Sequence, residues 1–189
     1  MSTQATQHNM SNLTYATPST AIIRVDTTVG PGSVPDASTG RFSVRLESKT
    51  QYGPGLFLFD VKHTPYGCGT WPALWLTDPN NWPTNGEIDI LEATNQATTS
   101  GPLVSLHTTS DCSMSDIRRS MTGTAGSEDC YNATNHNSGC GVSGPPSTYG
   151  PDFNARGGAS WRLNFVANNP SAFMDAYWEF GGFQVYKAL

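Results

Sequence analysis

Gly86-Glu87-Ile88-Asp89-Ile90-Leu91-Glu92 threads three acids through an apolar, β-branched strand pattern. Carboxylates are costly to bury unless chemistry requires them, so this stretch reads as a catalytic strand. Pro83-Thr84-Asn85-Gly86 supplies a turn before it and Ala93-Thr94-Asn95-Gln96 a polar exit after it. Side chains alternate along a strand, so Glu87 and Asp89 share a face while Glu92 falls on the other. One extra residue in a bulge near Ile90-Leu91 returns Glu92 to the first face, and that bulge is the expectation here. The short Asp then sits between two long Glu side chains, leaving the outer pair about 5 to 5.5 Å apart, the spacing of a retaining glycosidase.

Clustering also separates the proton affinities of the acids, because like charges in a cleft resist simultaneous ionisation. One Glu can then stay charged as nucleophile while the other holds a proton. The competing readings are a solvated strand face with scattered carboxylates and a Ca²⁺ site built from oxygen ligands.

Glu87-Ile88-Asp89-Ile90-Leu91-Glu92 resembles the catalytic signature of glycoside hydrolase family 16 in its bulged, laminarinase-like form. His63-Thr64-Pro65-Tyr66-Gly67-Cys68-Gly69-Thr70-Trp71-Pro72-Ala73-Leu74-Trp75 and Asn81-Trp82-Pro83-Thr84-Asn85-Gly86-Glu87 resemble the approach to that strand in secreted fungal endo-1,3(4)-β-glucanases. Val104-Ser105-Leu106-His107-Thr108-Thr109 resembles the strand that follows. The resemblance implies that Glu87 is the nucleophile, Asp89 its assistant and Glu92 the general acid/base. It also implies that Trp75 and Trp82 line a glucan cleft faced by His107.

Indoles suit that role, since their flat faces pack on the C–H face of a pyranose and their N–H reaches its hydroxyls. Trp82, beside Asn and Pro in a loop entering the catalytic strand, is the better platform. Trp75, within Ala73-Leu74-Trp75-Leu76, reads equally as core, and Trp71 reads as core first. A lone His is more often structural, and only the expected place of His107 beside the acids lifts it to a site residue.

The 189 residues, with 19 Gly, 13 Pro and little helical periodicity, suit one all-β domain rich in turns. Candidate strands are Ala21–Val25, Arg41–Glu47, Gly55–Val61, Pro72–Leu76, Glu87–Glu92, Leu103–Thr108, Ala172–Glu179 and Phe183–Lys187. This pattern favours a β-sandwich, and the resemblance sharpens it to a jelly roll, concanavalin A-like, with one concave sheet bearing the cleft. By the same resemblance, residues 1–189 form a single, incomplete family 16 domain. It lacks N-terminal strands and an internal block after about residue 158, because Asn168-Asn169-Pro170-Ser171-Ala172-Phe173 resembles the family's closing segment but follows almost at once.

A net charge of −5 with ten Lys and Arg offers no basic stripe for nucleic acid, whereas a neutral β-glucan is a compatible partner. No apolar run reaches the length of a membrane span. Met1-Ser2-Thr3-Gln4-Ala5-Thr6 lacks the layout of a signal peptide, yet the family resemblance points to an extracellular protein. Cys68, Cys112, Cys130 and Cys140 permit two disulfides and show no zinc spacing. A pairing within 112–140 would staple a loop-rich segment. Asn12-Leu13-Thr14 and Asn132-Ala133-Thr134 are glycosylation sequons. Three functions follow from these residues: an endo-acting β-1,3 or mixed β-1,3/1,4 glucan hydrolase, a transglycosylase of cell-wall glucan using the same covalent intermediate, and an inactive β-glucan-binding remnant. None requires a cofactor, and a Ca²⁺ ion would be structural. Oligomeric state is not legible.

Overall fold

The computed structural model describes residues 13–28, 41–94, 102–118, 120–144 and 168–187. The chain divides into two compact units, residues 1–69 with 160–189, and residues 70–159.

The first unit carries an antiparallel sheet of β1 (Thr14–Ala16), β2 (Ala21–Arg24), β3 (Gly55–His63) and β9 (Tyr177–Lys187), in the order β1-β2-β9-β3. Aromatic residues tie β3 to β9: Phe59 stacks on Phe183 at 4.8 Å, and the His63 ring lies 3.8 Å from that of Tyr177. Phe173 and Ala176 are buried and pack with Val25, and the Arg41 guanidinium lies 4.9 Å from the centre of the Phe173 ring.

The second unit is a five-stranded antiparallel sheet of β4 (Ala73–Thr77), β5 (Glu87–Glu92), β6 (Leu103–His107), β7 (Thr124–Ala125) and β8 (Cys140–Ser143), in the order β4-β5-β6-β8-β7. Cys130 and Cys140 form a disulfide, a pairing within the 112–140 segment as expected. The sequon at Asn12 lies outside the described residues, as does the stretch 145–167.

The all-β expectation holds, with three local corrections. Arg41–Glu47 is not a strand: alternation marks a face but does not by itself make a ladder, and the segment meets Asp26 through the Phe42 carbonyl, which accepts from Asp26 N–H at 2.8 Å, outside any strand pairing. Ala172–Glu179 does not run as a strand from its start. A 3-10 turn at Pro170–Phe173 satisfies its backbone locally, with Ala172 N–H on the Asn169 carbonyl and Ala176 N–H on that of Phe173. The Gly181-Gly182 pair, expected to separate two strands, lies inside β9, where the step from Gly182 to Phe180 opposite Asp60 and Val61 absorbs Gly181 as a bulge. β1, β7 and β8 are two to four residues long, too short for alternation to reveal.

Close approach explains Gly141, as it does Gly55 and Gly123. Gly141 stands opposite Ser105, and a Cβ there would lie 2.5 Å from the Val104 carbonyl oxygen and 2.9 Å from Ser105 Oγ. Gly141→Ala is expected to lower stability by about 1–3 kcal/mol, whereas Gly182→Ala, where a Cβ meets nothing within 4 Å, should change it by less than about 0.5 kcal/mol. Urea unfolding midpoints of the two variants check this, and equal shifts would show that β8 does not press on β6.

Candidate active site

The register of β5 against both neighbours locates the bulge. Against β4, Leu74 faces Leu91 but Trp75 faces Asp89, so Ile90 has no opposite number. Against β6, Asp89 faces Ser105 and Glu92 faces Leu103, three steps on one strand against two on the other. That extra residue reverses the parity of the pleat, and Glu92 joins Glu87 and Asp89 on one face. Cross-strand partners share a face, so Trp75, opposite Asp89, and His107, opposite Glu87, also lie there.

Each acid meets a ring nitrogen. His107, buried, places Nε2 3.0 Å from Asp89 Oδ2, a diagonal contact across the β5–β6 pair. Trp82 Nε1 donates to Glu87 Oε2. Trp71 Nε1 donates to Glu92 Oε1 at 2.6 Å. Asp89 is 2% exposed. Burial first, then the charges of Glu92 and Glu87, push its pKa up to about 6, against the opposing effect of His107.

Trp71 thus corrects the reading of that residue as core. It is 65% exposed, because Ala93 N–H donates to the Pro72 carbonyl at 3.2 Å and draws the approach to β4 alongside the end of β5. Trp75 is half-buried in mid-strand and Trp82 is exposed on its loop.

Several residues that organise this face escaped the sequence reading. Asp78 gathers the loop that presents Trp82, accepting from Asn81 Nδ2 at 2.7 Å, Asn85 Nδ2 at 2.8 Å and Asn80 N–H at 3.1 Å. These bonds, Asn81 first, hold its carboxyl below the usual carboxylate range. The loop closes with Gly86 N–H on the Pro83 carbonyl, Gly86 taking a φ of 78°. Asn137 Oδ1 lies 3.0 Å from His107 Nδ1. The Asx spacing of Asp78 to Asn80 and Asn81 was a readable signal. No local pattern announced Asn137, 30 residues from its partner.

The arrangement can deliver one carboxylate to each end of a bond while a third, centrally placed, holds a proton. The profile of the XgeA-like, catalytic GH16 domain matches residues 2–166. A probable glycosidase of Schizosaccharomyces pombe is 48% identical over 131 residues, 68% of this chain and 30% of its own. The endo-1,3(4)-beta-glucanase of Emericella nidulans is 39% identical over 127 residues, 67% of this chain and 20% of its own. The chain thus spans less than a third of the length of these curated relatives. Among solved structures, laminarinase 16A of Phanerochaete chrysosporium, carrying beta-glucans in donor and acceptor sites, superposes with a TM-score of 0.80 at 30% identity, covering 93% of this chain and 86% of the other. An elongating family 16 beta-1,3-glucosyltransferase gives a TM-score of 0.74 at 26% identity over 94% of this chain and 86% of its own. The fold is therefore the jelly-roll β-sandwich of those structures, and the chain belongs to glycoside hydrolase family 16, as an XgeA-like catalytic domain.

Proposed function

We propose that this chain hydrolyses internal β-1,3 or mixed β-1,3/1,4 glucosidic bonds with retention of configuration. The observation that carries the reading is the bulge that sets Glu87, Asp89 and Glu92 on one face, each beside its own ring nitrogen. Glu87 attacks the anomeric carbon while Glu92 protonates the leaving oxygen. The resulting glycosyl ester is cleaved by water whose proton passes to Glu92, and the enzyme returns to its starting state. Trp71 and Trp82 orient the two glutamates, and Trp75 and Trp82 offer indole surface to the sugar. The β-glucans carried by the laminarinase in its donor and acceptor sites support the substrate class.

A second reading, transfer to an acceptor sugar through the same ester, is favoured by the likeness to the elongating glucosyltransferase. The two readings differ only in what intercepts the intermediate, and longer products formed in excess oligosaccharide identify transfer. The Cys130–Cys140 disulfide supports an extracellular site of action. We further propose that residues 1–189 represent one domain of this kind with a block missing after about residue 158. The exposure of Ile88 and Val104 on the catalytic sheet, and of Leu56 and Leu58 on β3, supports that reading.

Folded protein is expected to release reducing sugar from laminarin or mixed-linkage β-glucan, and Glu87→Gln to lower kcat by at least about a thousandfold. A folded wild type that binds laminarin without cleaving it would leave a binding remnant. Trp71→Phe, which removes the donor to Glu92 but keeps an aromatic face, should lower kcat about tenfold with little change in KM.

The elevated pKa of Asp89 sets two pH effects. Activity is expected to fall as pH rises through about 6 and the three-acid face becomes fully charged; Asp89→Asn, though slower, should lack that limb. For stability, the folded state binds more protons at this residue than the unfolded one between the ordinary carboxylate range and about 6. The contribution of Asp89 is therefore complete at low pH and lost as pH rises through about 6. Urea midpoints at pH 4 and pH 7 should show Asp89→Asn gaining on the wild type at the higher pH.

A further inference from the structure

Three consecutive residues, Asn135, His136 and Asn137, adopt left-handed conformations with φ of 49°, 57° and 62°. Asn and His tolerate such conformations singly better than most residues, but three in succession persist only where surrounding structure enforces them. Here the turn is closed by Asn137 N–H on the Thr134 carbonyl and Ser138 N–H on that of Asn135. It is clamped at both ends by the Cys130–Cys140 disulfide and tied to the end of β6 by Asn132 N–H on the Thr108 carbonyl at 3.0 Å. This conformation brings Asn137 Oδ1 to 3.0 Å from His107 Nδ1. An amide oxygen only accepts, so with the Asn137 amide in this orientation Nδ1 donates a hydrogen to it.

We propose that Asn137 is a positioning residue that locks His107 in its Nδ1–H form and thereby makes His107 Nε2 and Asp89 Oδ2 hold one proton between them. The inference rests on the glycosidase reading of this face. With Nδ1 protonated, Nε2 presents a lone pair to Asp89 at 3.0 Å. Either Asp89 donates its proton to that lone pair, or the imidazolium donates to the carboxylate. Removing the proton leaves a lone pair facing a negative oxygen, so the lock defends the proton to higher pH. Without Asn137 the ring can move its hydrogen to Nε2, which stabilises ionised Asp89 and lets the pair deprotonate sooner.

The groups facing this pair come from several elements. Glu87 lies opposite His107, and Glu92 acts on Asp89 from further along β5. β4 brings Trp75 opposite Asp89. β6 brings Ser105 opposite Asp89, with Gly141 of β8 opposite Ser105 in turn, and within the turn His136 is exposed.

Asn137→Gly is the discriminating variant, since glycine adopts the same φ without strain and deletes only the acceptor. Asn137→Asp keeps an acceptor and adds charge that favours the proton. The expected result in Asn137→Gly is about a tenfold loss of kcat with KM within about twofold, and an alkaline limb displaced downward by about half a pH unit or more. Asn137→Asp should hold kcat within about threefold of the wild type and displace the limb upward. ¹⁵N NMR of the His107 imidazole, independent of turnover, should show a protonated Nδ1 in the wild type and Asn137→Asp, and a shift of the hydrogen towards Nε2 in Asn137→Gly. Unchanged ring nitrogens and an unmoved limb in both variants, with only a lower Tm, would overturn the proposal. If Asn137→Gly does not fold, an Asn137→Asp limb that stays in place overturns it equally. A wild type inactive on laminarin would sink the glycosidase reading alone, and the NMR result would still decide the lock.

Discussion

The site depends on a single inserted residue. A regular strand would send Glu92 to the opposite face from Glu87 and Asp89, and no rotamer of a glutamate reaches around a sheet. The bulge at Ile90-Leu91 resolves this while keeping β5 hydrogen-bonded to both β4 and β6. Its neighbours then have defined tasks. The Pro72 carbonyl engages Ala93 immediately beyond the strand, which fixes Trp71 beside Glu92. β6 presents His107 at the place where Asp89 is most shielded from water.

The electrostatics follow from the same geometry. Burial, with the charges of Glu92 and Glu87 on the same face, raises the proton affinity of the central Asp89. An aliphatic wall around Asp89 would leave it neutral and inert, whereas a lysine would leave it charged and tightly paired. A histidine whose far nitrogen is already engaged does neither, because it can hold the proton or return it with little rearrangement. The outer glutamates meet indoles, which donate one hydrogen bond and never titrate.

Much of this was legible in the sequence because it is local. The alternation through Glu87–Glu92, the flanking turn and the odd spacing of Glu92 together demanded both the strand and the bulge, and Trp82, in the loop entering that strand, could be placed at the site as a sugar platform, though not as the donor to Glu87. What escaped is non-local or set by competition between faces. Trp71 lies in an apolar run and reads as core, yet its position depends on a backbone bond to Ala93 across the sheet. Arg41–Glu47 alternates like a strand, but alternation cannot say whether a neighbour is there to pair with it. Asn137 belongs to a polar stretch that tolerates a left-handed course without specifying where it leads, and its partner lies on another strand.

The indole contacts also give the protein an optical property. Trp71 and Trp82 hydrogen-bond directly to carboxylates of the candidate catalytic face. Indole emission is sensitive to the charge beside the ring nitrogen, so the intrinsic fluorescence of the chain carries a signal from both glutamates. Occupancy of the cleft and the charge state of its acids can therefore be followed by light, without a label and without waiting for a product to accumulate.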